Sequence, residues 1–312
     1  MTETQKGVVA MICACVVWGL SPLYYKLLSH VPALEVLSHR TLWSVVFFVV
    51  LLMVQGRLSW VRPLLWGRTG LITALAALMM SLNWFFFIFS VQNGHTVEAS
   101  LGFYIFPLAA VAIGVLGFGE RLRVGQILSI LLALGAVVTL AVGLGVTPWI
   151  ALILAITLAL YGAAKRFVQA GPVVSVAAEV MMVLPLALIW LWLAHAGKTP
   201  VSMGQDGQFG RDLAISALLV FSGIMTATPL ILFSYATRRV AMTSIGLIQY
   251  LNPTLQFFCA VLVFAEPFTV WHKIAFPLIW AALAVYSLEA LWREKSLRNA
   301  TRKAGASVTT ST

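Results

Sequence analysis

The amino-acid sequence predicts an all-α membrane protein of ten transmembrane helices, arranged as two inverted-topology repeats of five helices each. Three observations carry this expectation. Of the 312 residues, 61% are hydrophobic and only 10% charged, against about 25% charged in a soluble domain, so the chain cannot cover itself with a polar surface. The apolar residues fall in ten successive windows of roughly 20 residues, the length that crosses a bilayer core as a helix. The first half is also written again in the second. Ser100-Leu101-Gly102 matches Ser244-Ile245-Gly246 at an offset of 144, and Pro107, Phe118 and Glu120 match Pro253, Phe264 and Glu266 at an offset of 146. Phe89-Ser90 and Phe233-Ser234 repeat just upstream. Apolar helices share single Leu or Ala residues by chance, but paired Gly, Pro and Glu landmarks in one order are much harder to match. The period is too long for a solenoid and suits two halves of a membrane protein.

Taken in order, the spans are 7–28, 34–54, 70–92, 97–118, 124–143, 148–168, 172–195, 212–236, 241–264 and 270–292. Each should be helical, because hydrocarbon offers backbone amides no water to bond. The first follows Lys6 and is longer than the roughly 7–15 residue apolar core of a secretory signal, so it reads as a retained helix. Gly94 and His95 occupy one short link, and Gly145 and Thr147 another. Only 55–69 and 196–211 are longer, and both read as surface connections. Five spans precede Thr147 and five follow it, and an odd number per half makes the second half enter the membrane from the opposite face. The expected units are a first repeat over 1–145, a second over 146–292, and a basic, disordered cytoplasmic tail over 293–312.

Charge sets the orientation. With the N-terminus placed in the cytoplasm, that side collects Lys6, the Arg57–Arg68 link, Arg121, Arg123, Lys165, Arg166, Arg238, Arg239 and the five basic residues from Arg293 onward. The outer side holds only Lys198, Arg211 and Lys273. The net charge of +10 therefore reflects insertion beside an anionic leaflet, not nucleic-acid binding. Cys13, Cys15 and Cys259 all lie in apolar spans, and their odd number and spacing fit neither a disulfide framework nor a metal site.

Several stretches resemble a known family. They are His39-Arg40 with Trp43-Ser44, Asn83-Trp84, Ser100-Leu101-Gly102 with Pro107, Gly119-Glu120-Arg121-Leu122, Ala227-Thr228-Pro229-Leu230, Gln249-Tyr250, Pro253-Thr254-Leu255-Gln256-Phe257 and Glu266-Pro267. Across nearly the whole length the chain resembles the EamA-type drug/metabolite transporters, and within them the RarD subfamily, linked by name to chloramphenicol sensitivity. The resemblance implies ten helices in two inverted repeats in the inner membrane, moving small metabolites in or out. One departure concerns the solute. Asn is expected before the first-half Pro, where this chain has Phe106, while Asn252 keeps the polar residue in the second half.

Ionisable residues inside a span cost about 2.5–3.5 kcal/mol each on insertion scales, so they need a reason to be there. Arg40 and Glu179 are the candidates for charge or proton coupling, without a direct bridge between them. The competing reading is snorkelling of a long side chain from near a helix end. Glu35 and His39 share a helical face at i, i+4, with a weaker case for function. A solute pocket is expected from Gln249 and Asn252, which with Gln256 lie at i, i+3 and i+7, together with Tyr104 and Phe106 near Pro107, and Asn83 with Trp84. Ser100, Thr226 and Thr228 complete a plausible polar ring. Aromatic walls with a few donors and acceptors suit a small, partly apolar ligand, and interhelical packing bonds are the alternative for each residue taken singly. Glu120 and Glu266, at helix ends, read as caps or surface pairs.

The function expected is a secondary transporter that moves a small amphiphilic metabolite or drug across the inner membrane by alternating access, with a proton as candidate driving ion. A non-transporting scaffold or lipid-handling protein is the alternative. There is no nucleotide-binding loop, no HExxH, and only Gly19-Leu20-Ser21-Pro22 as a loose match to a serine nucleophile. No enzyme activity, cofactor or metal is therefore expected. The partners implied are the solute and the bilayer.

Overall fold

The computed structural model describes residues 1–119, 124–144, 148–198, 207–240 and 242–309. The described residues are helical almost throughout and cross the bundle ten times. In order these are α1 (Glu3–Gly19) continued by α2 (Ser21–Leu27), α3 (Ala33–Val54), α4 (Gly67–Gln92), α5 (Thr96–Phe118), α6 (Val124–Leu144), α7 (Trp149–Lys165), α8 (Pro172–His195), α9 (Leu213–Thr237), α10 (Met242–Gln249) with α11 (Leu251–Phe258), and α12 (Val270–Thr309). Nine of these passes are long and apolar enough to cross a membrane, and α7 is a shorter apolar helix. Their outward faces carry a belt of bare aliphatic and aromatic side chains, among them Leu71, Leu116, Leu186 and Trp192. A soluble protein does not expose so much contiguous apolar surface, and lipid is the solvent that suits it.

Local chemistry sets the ends. Thr2 and Gln5 form a capping box on α1. Asp212 caps α9 by accepting the Ile215 N–H at 2.9 Å. Pro172 sits in the first turn of α8, where its missing N–H costs nothing. Gly119, at φ +65°, closes α5 in the left-handed conformation. The last helix runs on through the basic segment to Thr309, where the sequence predicts a disordered tail.

Contacts sort the helix ends onto two faces. On the terminal face, Glu3 bonds Arg239 beyond α9, Phe118 at the end of α5 stacks on Phe167 beyond α7, and Val61 and Leu64 of the link after α3 pack with Val168 and Val174. On the far face, Glu35 near the start of α3 accepts the Gln208 and Phe209 N–H groups. Glu98 accepts from Ile150 at the start of α7, and Glu266 accepts from Thr96 and Val97 at the start of α5.

Three of the pairs that pack with opposite direction join helices at corresponding places in the two halves of the chain. In α3 and α8, Phe48 and Leu52 near the end of one meet Val174 and Ala177 near the start of the other. In α6 and α12, Gly125 lies against Glu289 and Gly143 against Trp271. In α5 and α11, Tyr104 bonds Thr254 in mid-helix while Glu266, beyond α11, reaches the start of α5. The other principal contacts are α5 with α7 and α1 with α11, α4 with α7 and α9 with α1, and α3 with α9 and α8 with α4. Gly102 permits the tight α5–α7 approach, since a methyl group there would lie 2.7 Å from the Ala151 carbonyl oxygen.

Candidate functional site

A cavity of about 760 Å³ lies between the helices, bordered among the described residues by every pass except α6. This is within the range of small-molecule sites. It reaches the terminal face past Val168, Ala170, Tyr286 and Ser287, and among the described residues none of the far-face connections borders it. On the far side the three carboxylates already named join the two halves, each accepting from backbone N–H of the other half of the chain. The Glu266 bonds measure 2.9 and 2.8 Å. Bonds of this kind to an ionised acceptor are about twice as strong as neutral ones.

Arg40 projects from α3 and is 6% exposed. Its Nε–H donates to Thr226 Oγ1 of α9 at 2.8 Å. Its guanidinium carbon lies 3.4 Å from the centroid of the Trp84 ring, a stacking geometry that holds a desolvated cation by about 2 kcal/mol. Trp84 is itself fixed edge-to-face against Phe87.

On the terminal side, Glu179 of α8 is 4% exposed and forms an ion pair with Lys165 at the end of α7. Lys165 also bonds Ser175 Oγ. The Ser175 hydroxyl donates to Glu179 Oε1 at 3.1 Å and the Tyr161 hydroxyl to Oε2 at 3.2 Å. Glu179 and its partners thus form one network spanning α7 and α8, and the counter-ion is Lys165, not Arg40.

Of the residues singled out from the sequence, Arg40, Asn83, Trp84, Phe106, Glu179, Gln249 and Asn252 all border this cavity. Asn252 Oδ1 accepts from Gln256 Nε2 at 2.9 Å, and Gln249, at the end of α10, is exposed. Asn83 stands in the wall, but its amide is committed to packing, donating to the Leu154 carbonyl and to Thr157 Oγ1 of α7. Tyr104 does not border the cavity. It is 2% exposed, bonded to Thr254 Oγ1 at 2.6 Å, and its ring meets Phe276 edge-on. Ser100 is likewise buried, donating to the Val97 carbonyl.

Glu35 and His39 belong to the far-face contacts, where the His39 ring stacks on Phe209 at 4.5 Å. Glu266 is a cap, as expected, but of a helix in the other half. Glu120 lies outside the described residues. Cys15 and Cys259 are buried in packing and Cys13 faces outward. Lys165, Tyr161 and Ser175 were missed. Lys165 reads from sequence as an orientation charge, although Tyr161 and Lys165, at i and i+4, share one helical face.

Residues 5–142 match the profile of the EamA-like transporter family. The chain is 40% identical to a RarD protein of Streptomyces exfoliatus over 93% of this chain and 90% of that one. It is 34% identical to an uncharacterized transporter, YojE, of Bacillus subtilis over 94% and 98%, and 30% identical to a chloramphenicol-sensitive protein RarD of Pseudomonas aeruginosa over 91% and 94%. A crystal structure of another protein superposes with a TM-score of 0.60 over 92% of this chain and 98% of that one, at 19% identity, a likeness of fold alone. A helical bundle with a lipid-facing exterior, matched from end to end by such relatives, is a multi-pass membrane transporter, and this chain belongs to the EamA-like transporter family, among the RarD proteins.

Proposed function

We propose that the chain is a secondary transporter that carries a small amphiphilic solute through this cavity by alternating access, in the inner membrane with both termini in the cytoplasm. The observation that carries the reading is the cavity itself, bordered by helices of both halves; in this reading it is open toward the terminal face, and the carboxylate-to-backbone bonds of the far face, which can break without covalent change, are its closure. The outward-facing state would be the mirror arrangement.

The packing supports two inverted repeats, 1–145 and 146–292, behind this exchange. Advancing each helix by five passes converts the α5–α7 contact into α11–α1, α4–α7 into α9–α1, and α3–α9 into α8–α4. It leaves α3–α8, α5–α11 and α6–α12 as self-paired mates, and in each of these the two helices run in opposite directions. A parallel duplication would instead set mates in the same direction. The charge bias of the connections supports cytoplasmic termini.

Glu179 is the candidate proton carrier. A proton arriving on its carboxylate would release Lys165 and break the α7–α8 network, linking protonation to helix movement. Proteoliposomes holding the full chain are expected to show saturable flux of at least one member of a radiolabelled library of amphiphilic metabolites. Glu179→Gln should retain protein in the membrane and lose the dependence of that flux on a pH gradient. Absence of flux above empty vesicles would contradict transport, and a variant that concentrates solute as the parent does would contradict coupling at Glu179.

A further inference from the structure

We infer that the cavity binds its solute by an anionic group, a carboxylate held by Arg40. The inference rests on the transport reading for its purpose and on the geometry for its chemistry. Guanidinium carries five N–H donors in a planar fork. In Arg40 the Nε–H is used by Thr226 and one face of the plane is covered by Trp84. The terminal nitrogens have no hydrogen-bond partner among the described residues, nor does any carboxylate lie within ion-pair distance of them. They are not among the fully enclosed polar atoms that lack a partner, so they border the cavity. The edge of the fork is therefore the part left free, and that edge matches the two oxygens of a carboxylate.

The charge of the wall points the same way. Among the described residues, Arg40, Lys165 and Glu179 are the Asp, Glu, Lys or Arg residues bordering the cavity, and Lys165 and Glu179 neutralise each other. One positive charge remains, buried in an apolar setting where an unmatched ion is costly. A monoanion offsets it; a neutral solute leaves it unmatched, and a cation adds to it. Besides Trp84 at the fork, the wall of the cavity carries Trp18, Phe87, Phe103, Phe106 and Phe233, which suit an aromatic or branched apolar body. The structure thus assigns the polar end of the amphiphile as an acid and places it at Arg40, in the part of the cavity away from its open face.

The test uses full-length protein in detergent and a panel of aromatic monocarboxylates of increasing size, each paired with its neutral amide, with binding read by thermal stabilisation and calorimetry. For at least one pair the acid should bind tenfold or more tightly than the amide. Arg40→Gln should erase that preference, and Arg40→Lys should retain it in weaker form, because charge remains while the fork is lost. Should the Arg40 variants not fold, the acid–amide comparison on the parent protein decides alone. If no acid in the panel outbinds its amide, or if Arg40→Gln folds and keeps the preference, the inference is wrong. Acid binding without flux in proteoliposomes would overturn the transport reading and leave this one standing. Flux of neutral and acidic solutes without preference would do the reverse.

Discussion

Asn252 and Phe106 precede the two repeat-related prolines and border one cavity, so the two halves offer the solute unlike groups. Asn252 presents a carboxamide whose oxygen is occupied by Gln256, leaving its N–H donors without a protein partner among the described residues. Phe106 presents a flat apolar ring. Losing one hydrogen bond to bound solute costs about 1–1.5 kcal/mol, roughly tenfold in affinity. Asn252→Ala is therefore expected to weaken apparent solute affinity about tenfold at unchanged expression, and Phe106→Asn to shift preference toward more polar solutes. Competition binding checks both, and unchanged profiles in the two variants would remove these residues from the site. That Arg40 and Glu179 lie inside the bundle facing a cavity was legible in the sequence, because ionisable groups stand out within apolar spans. Tyr104 was misplaced because helical spacing shows which residues share a face, while the neighbour on that face, here Thr254 and Phe276, is set by packing.

At the scale of elements, the repeated Pro has two different outcomes. Pro253 stands in the first turn of α11, where its missing N–H costs nothing, and the pass breaks just before it at Tyr250. Pro107 lies inside α5, which continues without interruption and packs against α7 and α11. Sequence shows both prolines and cannot distinguish these cases. The end of the ninth pass is also unlike its sequence pattern. It widens to π-helical winding over Cys259–Val263, and Ala265 then takes a left-handed φ of +51°, a conformation costly to a residue with a Cβ. The result swings Glu266 onto the first turn of α5. Glu266→Ala should destabilise the protein by about 1.5–3 kcal/mol, the worth of a hydrogen bond to a charged group. Glu266→Gln should fall between, since its amide oxygen still accepts one bond. Thermal unfolding in detergent measures this, and an Ala variant as stable as the parent would contradict the cap.

For the whole molecule, ten passes, repeat landmarks and the charge bias were all legible, because span length, helix count and connection charge are properties of the chain read one segment at a time. A pocket near the repeated prolines was expected too, but its extent and its far-face contacts were not, since they depend on how far each helix end is drawn toward its neighbour. The central claim is that the cavity opens alternately to the two faces, with the closure made by Glu35, Glu98 and Glu266 as the element that yields. It is tested by a single cysteine in place of Met80, a cavity-wall residue, in a chain whose Cys13, Cys15 and Cys259 are replaced by Ala. The protein is set in vesicles of known orientation and treated with a membrane-impermeant thiol reagent from one face at a time. Labelling is expected mainly from the terminal face in the parent, with a slower component from the far face that rises once Glu266→Ala loosens the closure. Labelling from the far face alone in the parent, or no gain of far-face labelling in the Glu266 variant, would contradict it.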